Sequence, residues 1–214
     1  MSSLPPKGGK ELIAAVVLAA GESRRMGTPK QLLPLGPRRV IEWVLAALVK
    51  AGLDEIIVVT GYRRGEVEAA LTPHPVRCIY NPDYAAGEML SSIQAGLRAL
   101  GPQAEAALVV LGDQPQLQAT VVQAILQAYR AGGGERIYIP TYEGRRGHPI
   151  CLPRPFWEGV LALPWTASLR DLLRQHGADI VEVPVPTPSI LRDLDTPADY
   201  EREVRLAREG YERE

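Results

Sequence analysis

The chain has 214 residues, and its 24 lysines and arginines nearly balance 25 aspartates and glutamates, which gives a net charge of −1. This balance argues against a general nucleic-acid-binding protein, which usually carries a basic excess, but it allows a small anionic ligand held by a local charge cluster. Hydrophobic residues make up 46% of the chain and charged residues 23%, which is typical of a globular protein with a core of ordinary size.

The first residues predict a disordered leader, 1–10, ahead of a single domain, 11–214. Lys7 and Lys10 precede an apolar run and so imitate a signal peptide. Glu11 interrupts the flank, however, and the run is too short to cross a bilayer. We therefore expect a cytoplasmic protein that binds no membrane, and the two cysteines, Cys78 and Cys151, fit buried thiols in a reducing compartment.

Short apolar runs then alternate with helical patterns along the chain. The runs predict strands at 12–19, 55–60, 76–80, 107–112, 136–140 and 179–185. Apolar residues at helical spacing predict core-facing helices through Val40, Ile41, Val44, Leu45, Leu48 and Val49, through Met89, Leu90, Ile93, Leu97 and Leu100, and through Val121, Val122, Ile125, Leu126 and Tyr129. This alternation is typical of an α/β fold, a single Rossmann-like domain with a mostly parallel sheet and helices on both faces.

In such a sheet, ligands bind at the carboxyl ends of the strands. The loop after the first strand reads LAAGESRRMGTPK, in which Gly21 and Gly27 give backbone freedom and Arg24, Arg25 and Lys30 give positive charge. Exposed backbone N–H groups and basic side chains together predict an anion site. The glycine spacing matches neither a Walker A loop nor the dinucleotide fingerprint, and a glycine-rich turn with solvated arginines is the alternative.

Two further strand-end segments carry carboxylates. In LVVLGDQP an apolar strand delivers Asp113 at its end, where a carboxylate can bind Mg²⁺ or, alternatively, its own turn backbone. In LRDLDTPADY, Asp193 and Asp195 share one side of an extended segment, while Thr196 begins a helix as its N-cap. We expect all three carboxylates to lie on surface loops.

The combination of motifs is more specific than any one of them. LAAGESRRMGTPKQLLPLG, NPDYAAGEMLSSIQAGL, LGDQP, GHP and DLDTPADY, in this order, resemble the molybdenum cofactor nucleotidyltransferases, most closely the cytidylyltransferase branch, from about residue 12 to 205. The resemblance implies an Mg²⁺-dependent reaction that joins a nucleoside triphosphate to a phosphorylated acceptor and releases pyrophosphate. It also implies an acceptor of the molybdopterin type, and a molybdoenzyme or cofactor-delivery protein as partner.

The resemblance also implies roles for individual residues. The nucleotide side would comprise Leu18, Ala19, Ala20, Gly21, Arg25, Lys30, Ser92 and Asp113, of which Arg25, Lys30 and Asp113 would be catalytic. The metal would lie on Asp113, Asp193 and Asp195, and the acceptor side would include Gly147 and His148.

Two features leave the reactants open. The segment 163–177 lacks the Gly-Asp stretch common in cytidylyltransferases, and we expect it to face the acceptor, so a sugar phosphate is an alternative acceptor. The sequence LAAG, with Ala20 where the guanylyl branch tends to have glycine, favours CTP over GTP. A non-catalytic nucleotide-binding module is a third alternative, which the intact Lys30, Asp113, Asp193 and Asp195 argue against.

Overall fold

The structure, a computed structural model, describes residues 12–211, so the expected leader at 1–10 lies outside the described residues. The strands are β1 (Leu12–Ala19), β2 (Pro34–Leu35), β3 (Arg38–Arg39), β4 (Glu55–Thr60), β5 (Arg77–Tyr80), β6 (Ala104–Leu111), β7 (Ile137–Tyr142), β8 (Arg145–Arg146), β9 (Ile150–Pro153) and β10 (Ile180–Pro184). The helices are α1 (Val40–Ala51), α2 (Arg64–Leu71), α3 (Glu88–Ala99), α4 (Ala119–Ala131), α5 (Trp157–Ala162), α6 (Leu169–Gln175) and α7 (Pro197–Tyr211).

The main sheet has the order β10-β7-β9-β6-β1-β4-β5, with β8 paired to β7. Pairs β1–β4, β1–β6, β4–β5 and β7–β10 are parallel, which confirms the mostly parallel Rossmann-like sheet. All six predicted strands are present. The sequence analysis missed β9, which runs antiparallel between β6 and β7. Its direction follows from the connection, because a tight turn through Glu143 and Gly144, both at positive φ, replaces a crossover helix.

Helices cover both faces, as expected. One core layer joins α1 and α4 to the sheet, and the other joins α3, α5 and α6 to its opposite face. Gly96 brings α3 close to β1, because a Cβ there would lie 2.2 Å from Val16 Cγ1. The prediction that Val49 and Met89 face the core was wrong. Val49 is 51% exposed beside a surface groove, and Met89 is 49% exposed because it lines cavities at the strand ends.

The carboxyl ends of β1 and β6 and the segment before α7 are joined by backbone hydrogen bonds. Gly112 N donates to Leu18 O at 3.0 Å, and Leu194 N donates to Asp113 O at 3.2 Å. The predicted helix start is confirmed, since Asp199 N donates to Thr196 Oγ1 at 3.2 Å. None of the helices within residues 12–211 combines the length and apolar character needed to span a membrane.

Candidate active site

A first cavity of about 330 Å³ opens at the carboxyl ends of β1 and β6. Its lining residues are Leu18, Ala20, Gly21, Glu22, Ser23, Arg24, Lys30, Gln31, Tyr84, Ala85, Met89, Ser92, Leu111 and Asp113. The first-strand loop, the loop before α3 and the end of β6 therefore meet in one place. Most of the residues predicted for the nucleotide lie in this wall.

The first-strand loop is organised by a turn at Ser23. Ser23 O accepts hydrogen bonds from Met26 N at 2.8 Å and Gly27 N at 3.2 Å, and Ser23 Oγ accepts one from Lys30 N at 3.1 Å. Gly27 has a φ of 67°, in the left-handed region that favours glycine, as expected from its predicted role in giving the loop backbone freedom. Gly21 does not lie in the left-handed region. A Cβ at Gly21 would meet nothing within 4 Å, so glycine there leaves bare backbone on the cavity wall.

Lys30 links the two predicted acidic segments. Its Nζ pairs with Asp113 and lies 3.0 Å from Asp195 Oδ1. Burial by itself would lower the pKa of the Lys30 ammonium, but the two carboxylates outweigh it and leave that pKa above its ordinary value. Lys30 is therefore a fixed positive charge in the cavity wall at neutral pH.

Asp113 is not on a surface loop, contrary to expectation, since it is only 8% exposed. The loop is pressed against its neighbour, because a Cβ at Gly112 would lie 2.7 Å from Leu18 O. Burial raises the pKa of the Asp113 carboxyl, an effect that Lys30 opposes and Asp193 reinforces. A carboxylate whose charge is costly to bury is stabilised by any further cation that reaches it.

The Asp193–Asp195 pair has divided partners. Asp195 lies against Lys30 and within 3.4 Å of Arg25 Nη2, whereas Asp193 Oδ1 accepts a hydrogen bond from Gln114 Nε2 at 2.6 Å. Gln114 is buried and also donates to Ile190 O at 3.3 Å. It is a positioning residue that the sequence analysis missed.

The protein side chains alone supply only part of the ligand set that a divalent cation needs. Within residues 12–211, no group of three or more His, Cys, Asp or Glu side chains is arranged to hold a metal ion alone. Mg²⁺, however, commonly takes one or two carboxylates and completes its shell with phosphate oxygens and water. Asp113, with its buried carboxylate beside the first cavity, fits that mode, and Asp193 and Asp195 flank it.

Ser92, on α3, also lines the first cavity and is held by Asn81. Asn81 Nδ2 donates to Ser91 Oγ at 2.9 Å and to Ser92 Oγ at 3.1 Å, and Asn81 Oδ1 accepts from Asp83 N at 3.0 Å. No described residue accepts a hydrogen bond from the Ser92 hydroxyl, so this group is placed to donate to a ligand. The sequence analysis quoted the motif but did not single out Asn81.

Gln31 is a second missed residue in the same wall. It is 2% exposed, and its Oε1 finds no hydrogen-bond partner among the described residues. Buried polar atoms are normally paired, so an unpaired acceptor beside a cavity is suited to a ligand N–H or O–H. In the sequence, only the position of Gln31 next to Lys30 could have indicated that it belongs to the site.

A second cavity, of about 690 Å³, adjoins the first and shares Met89 and Leu111 with it. Its other lining residues are Ile139, Arg146, Gly147, His148, Ile150, Ser168, Leu169, Arg170, Leu173, Arg174, Gly177 and Asp193. Gly147 and His148, the two residues predicted for the acceptor side, both line this cavity. The segment 163–177, expected to face the acceptor, contributes six of these residues through α6 and its flanks.

Gly147 and His148 are fastened to the segment that carries Asp193. His148 N donates to Ile190 O at 3.1 Å, and a Cβ at Gly147 would lie 2.2 Å from that same oxygen, so only glycine fits. Burial lowers the pKa of the His148 imidazole, although the Asp193 carboxylate opposes the shift. A neutral imidazole suits hydrogen bonding rather than charge pairing with a phosphate.

The two arginines of the first-strand loop differ in setting. Arg24 lines the first cavity and pairs with Glu22, whereas Arg25 pairs with Asp195 and stands outside that lining. Both side chains are largely exposed, at 80% and 68%. They can therefore reorient toward a bound anion at little cost.

Comparison with known proteins shows which family the chain belongs to. The sequence matches the family described as MobA-like NTP transferase domain over residues 15–180. Similar proteins include the molybdenum cofactor cytidylyltransferase of Escherichia coli (strain K12), 30% identical over 88% of this chain and 93% of that protein. The nicotine blue oxidoreductase of Paenarthrobacter nicotinovorans is 32% identical over 86% of this chain and 92% of its own.

Solved structures share the whole architecture. A nucleotidyl transferase from Methanothermobacter has a TM-score of 0.80 and 29% identity, covering 94% of this chain and 100% of that one. A manganese complex of Rv0371c from Mycobacterium tuberculosis has a TM-score of 0.74 and 28% identity, covering 91% and 98%. The predicted resemblance is confirmed: this chain belongs to the MobA-like NTP transferase family and is a nucleotidyltransferase.

Proposed function

We propose that this protein transfers CMP from CTP to the phosphate of a molybdopterin-type acceptor and releases pyrophosphate, with Mg²⁺. The observation that carries the proposal is the pair of adjoining cavities, with Asp113 in the wall of one and Asp193 in the wall of the other. The nucleotide enters the first cavity and the acceptor the second. Their reacting groups meet near the shared residues Met89 and Leu111.

The reaction needs no side-chain nucleophile. An acceptor phosphate oxygen forms a bond to the α-phosphorus of CTP, and the bond from that phosphorus to the oxygen of the β-phosphate breaks, so pyrophosphate leaves. Lys30 and Arg25 bind the triphosphate and offset charge that builds on the leaving group. Mg²⁺ on Asp113, assisted by Asp193 and Asp195, would supply further charge neutralisation.

Base selection is assigned to Ala20, Ser92 and Gln31. The Ala20 backbone is held in place, because Tyr62 N donates to Ala20 O at 3.0 Å and a Cβ on Gly61 would lie 2.7 Å from that oxygen. A methyl group on a fixed wall favours the smaller pyrimidine. The Ser92 hydroxyl donates to the nucleotide, and Gln31 Oε1 accepts from one of its N–H or O–H groups.

The test is incubation with CTP, GTP and purified molybdopterin, with pyrophosphate and product mass as readouts. We expect a product heavier than the acceptor by one cytidylyl group, which is CMP less one water, and weak use of GTP. A sugar phosphate in place of molybdopterin separates the alternative acceptor. Absence of pyrophosphate with every triphosphate and acceptor would contradict the proposal and favour a binding module or chemistry like that named for the oxidoreductase relative. The cytoplasmic location and the protein partner stay predictions.

A further inference from the structure

The second cavity has an apolar wall and a cationic rim. The apolar wall consists of Leu111, Ile139, Ile150, Leu169 and Leu173. The rim carries three arginines, Arg146 from β8 and Arg170 and Arg174 from α6. A ligand that fills this cavity must therefore offer both apolar surface and groups that accept hydrogen bonds.

The three arginines are not equivalent. Arg146 Nε lies 2.8 Å from Glu182 Oε1, and Arg174 pairs with Asp171 one turn earlier on α6. Arg170 has no acidic partner among the side chains that the structure describes. The charges of Arg146 and Arg174 are thus already compensated, and the Arg170 guanidinium is the rim cation that remains available to a ligand.

The start of α6, which carries Arg170, is held in place by hydrogen bonds at its N-cap and in the segment before it. Ser168 Oγ and Ser168 N both donate to Asp171 Oδ2, at 2.7 Å each, so the helix begins with a capping box. Buried Gln94 anchors the approach to it, because Gln94 Nε2 donates to Leu163 O at 2.9 Å and Gln94 Oε1 accepts from Trp165 Nε1 at 3.1 Å. Arg170 is therefore presented by an anchored element, although its own side chain is exposed.

Arg170 lines the second cavity and not the first, where the nucleotide is placed. The first and second cavities share only Met89 and Leu111, and no residue of α6 lines the first cavity. The reacting end carries Asp193 and the neutral His148 instead. Arg170 on α6 and the pair of Asp193 and His148 thus reach the second cavity from different elements, which allows two separate groups of one acceptor to be bound.

We propose that Arg170 binds a second anionic group of the acceptor, separate from the attacking phosphate, while the apolar wall packs against the acceptor body. This proposal rests on the proposed function, since it concerns the acceptor of the same reaction. It places specificity for the acceptor in α6, within the segment that departs from the cytidylyltransferase pattern. The guanidinium fork suits an anion that offers two oxygen or sulfur atoms.

The test compares Arg170→Gln, Arg170→Lys and Arg174→Gln in steady-state assays with CTP and molybdopterin. We expect Arg170→Gln to raise the KM for molybdopterin about 10- to 100-fold, the effect of losing one charged hydrogen bond. The KM for CTP and the kcat should stay within roughly twofold, because the contact that is lost binds the acceptor equally in the ground state and the transition state. Arg170→Lys should recover part of the loss, and the wild-type KM should rise with salt more steeply than that of Arg170→Gln.

Arg130→Gln is the matched charge control, because Arg130 is exposed on α4, which packs on the opposite face of the sheet from α6. It should leave every constant unchanged. Wild-type turnover with an unchanged acceptor KM in Arg170→Gln would overturn this inference alone. Equal losses in Arg170→Gln and Arg174→Gln would overturn it in favour of a diffuse cationic rim. Absence of wild-type turnover with molybdopterin would overturn the proposed function and this inference with it.

Discussion

The first and second cavities share a wall but are built differently. The first is formed largely by one continuous loop, whose Lys30 is half-buried and pairs with Asp113 and Asp195. The second is assembled from α6, the β8–β9 connection and the end of β6, and most of its lining is apolar or arginine. Charge neutralisation of a triphosphate requires a fixed constellation of charges, whereas acceptor recognition can be distributed over several elements.

The largest effect is expected at Asp113, whose substitution tests whether the first cavity is the part of the site that neutralises charge. Asp113→Asn should lower kcat at least about 10²-fold, because the site loses the buried carboxylate that would hold the metal ion which neutralises developing negative charge. Asparagine is nearly isosteric, so the variant should fold, which thermal unfolding checks. Glu135→Gln, an exposed carboxyl-to-amide change, serves as control. Normal turnover of Asp113→Asn at saturating Mg²⁺ would refute its assignment to the metal.

Lys30→Ala probes the same constellation from the cationic side. It should weaken binding of a non-hydrolysable CTP analogue in isothermal titration and slow turnover by about 10²-fold, since one fixed charge opposite the leaving pyrophosphate is removed. The acceptor KM should change little. Arg24→Ala should cost less than Arg25→Ala, and equal losses at these two positions would indicate a diffuse basic patch.

These two predictions concern the part of the site that could be predicted from sequence. Lys30 and Asp113 follow apolar strands within contiguous motifs, so their meeting at one sheet edge follows from a parallel topology. Arg170 could not be placed in this way, because its role depends on an ion pair that Arg174 makes and Arg170 lacks. Strand β9 was missed for a related reason: its direction depends on a Glu-Gly turn, a weaker hairpin signal than Asn-Gly.

Substitutions of Asp193 and Asp195 test whether the two cavities bind different substrates. Asp195→Asn should affect CTP use, because Asp195 contacts Lys30 and Arg25, and Asp193→Asn should raise the acceptor KM, because Asp193 lines the second cavity. We expect losses of roughly 10-fold or more for Asp195 and less for Asp193. Steady-state assays that vary each substrate in turn separate the two. Identical effects on both substrates would mean that the pair acts as one unit.

Ser92 tests whether the first cavity reads the base as well as the phosphates. Ser92→Ala removes a hydroxyl that no described residue accepts from, so we expect a rise in the KM for CTP of roughly 5- to 10-fold, the effect of one hydrogen bond. Ser91→Ala is the neighbouring control, since Asn81 also donates to Ser91 but that residue does not line the first cavity. An unchanged KM for CTP would remove Ser92 from the nucleotide site.

The smallest structural change is at Ala20, where one methyl group separates LAAG from LAGG. Ala20 is 3% exposed and its backbone is held by Tyr62, so the wall cannot retreat from a larger base. Excluding a group by shape is worth only about 1–3 kcal/mol, which bounds the discrimination at roughly 10- to 200-fold. We therefore expect the wild type to prefer CTP, and Ala20→Gly to narrow the CTP/GTP ratio of kcat/KM mainly by improving GTP. The measurement uses both triphosphates with one common acceptor. A wild type that uses GTP equally well, or a ratio unchanged in Ala20→Gly, would show that this wall does not select the base, and selection would then fall to the hydrogen bonds of Ser92 and Gln31.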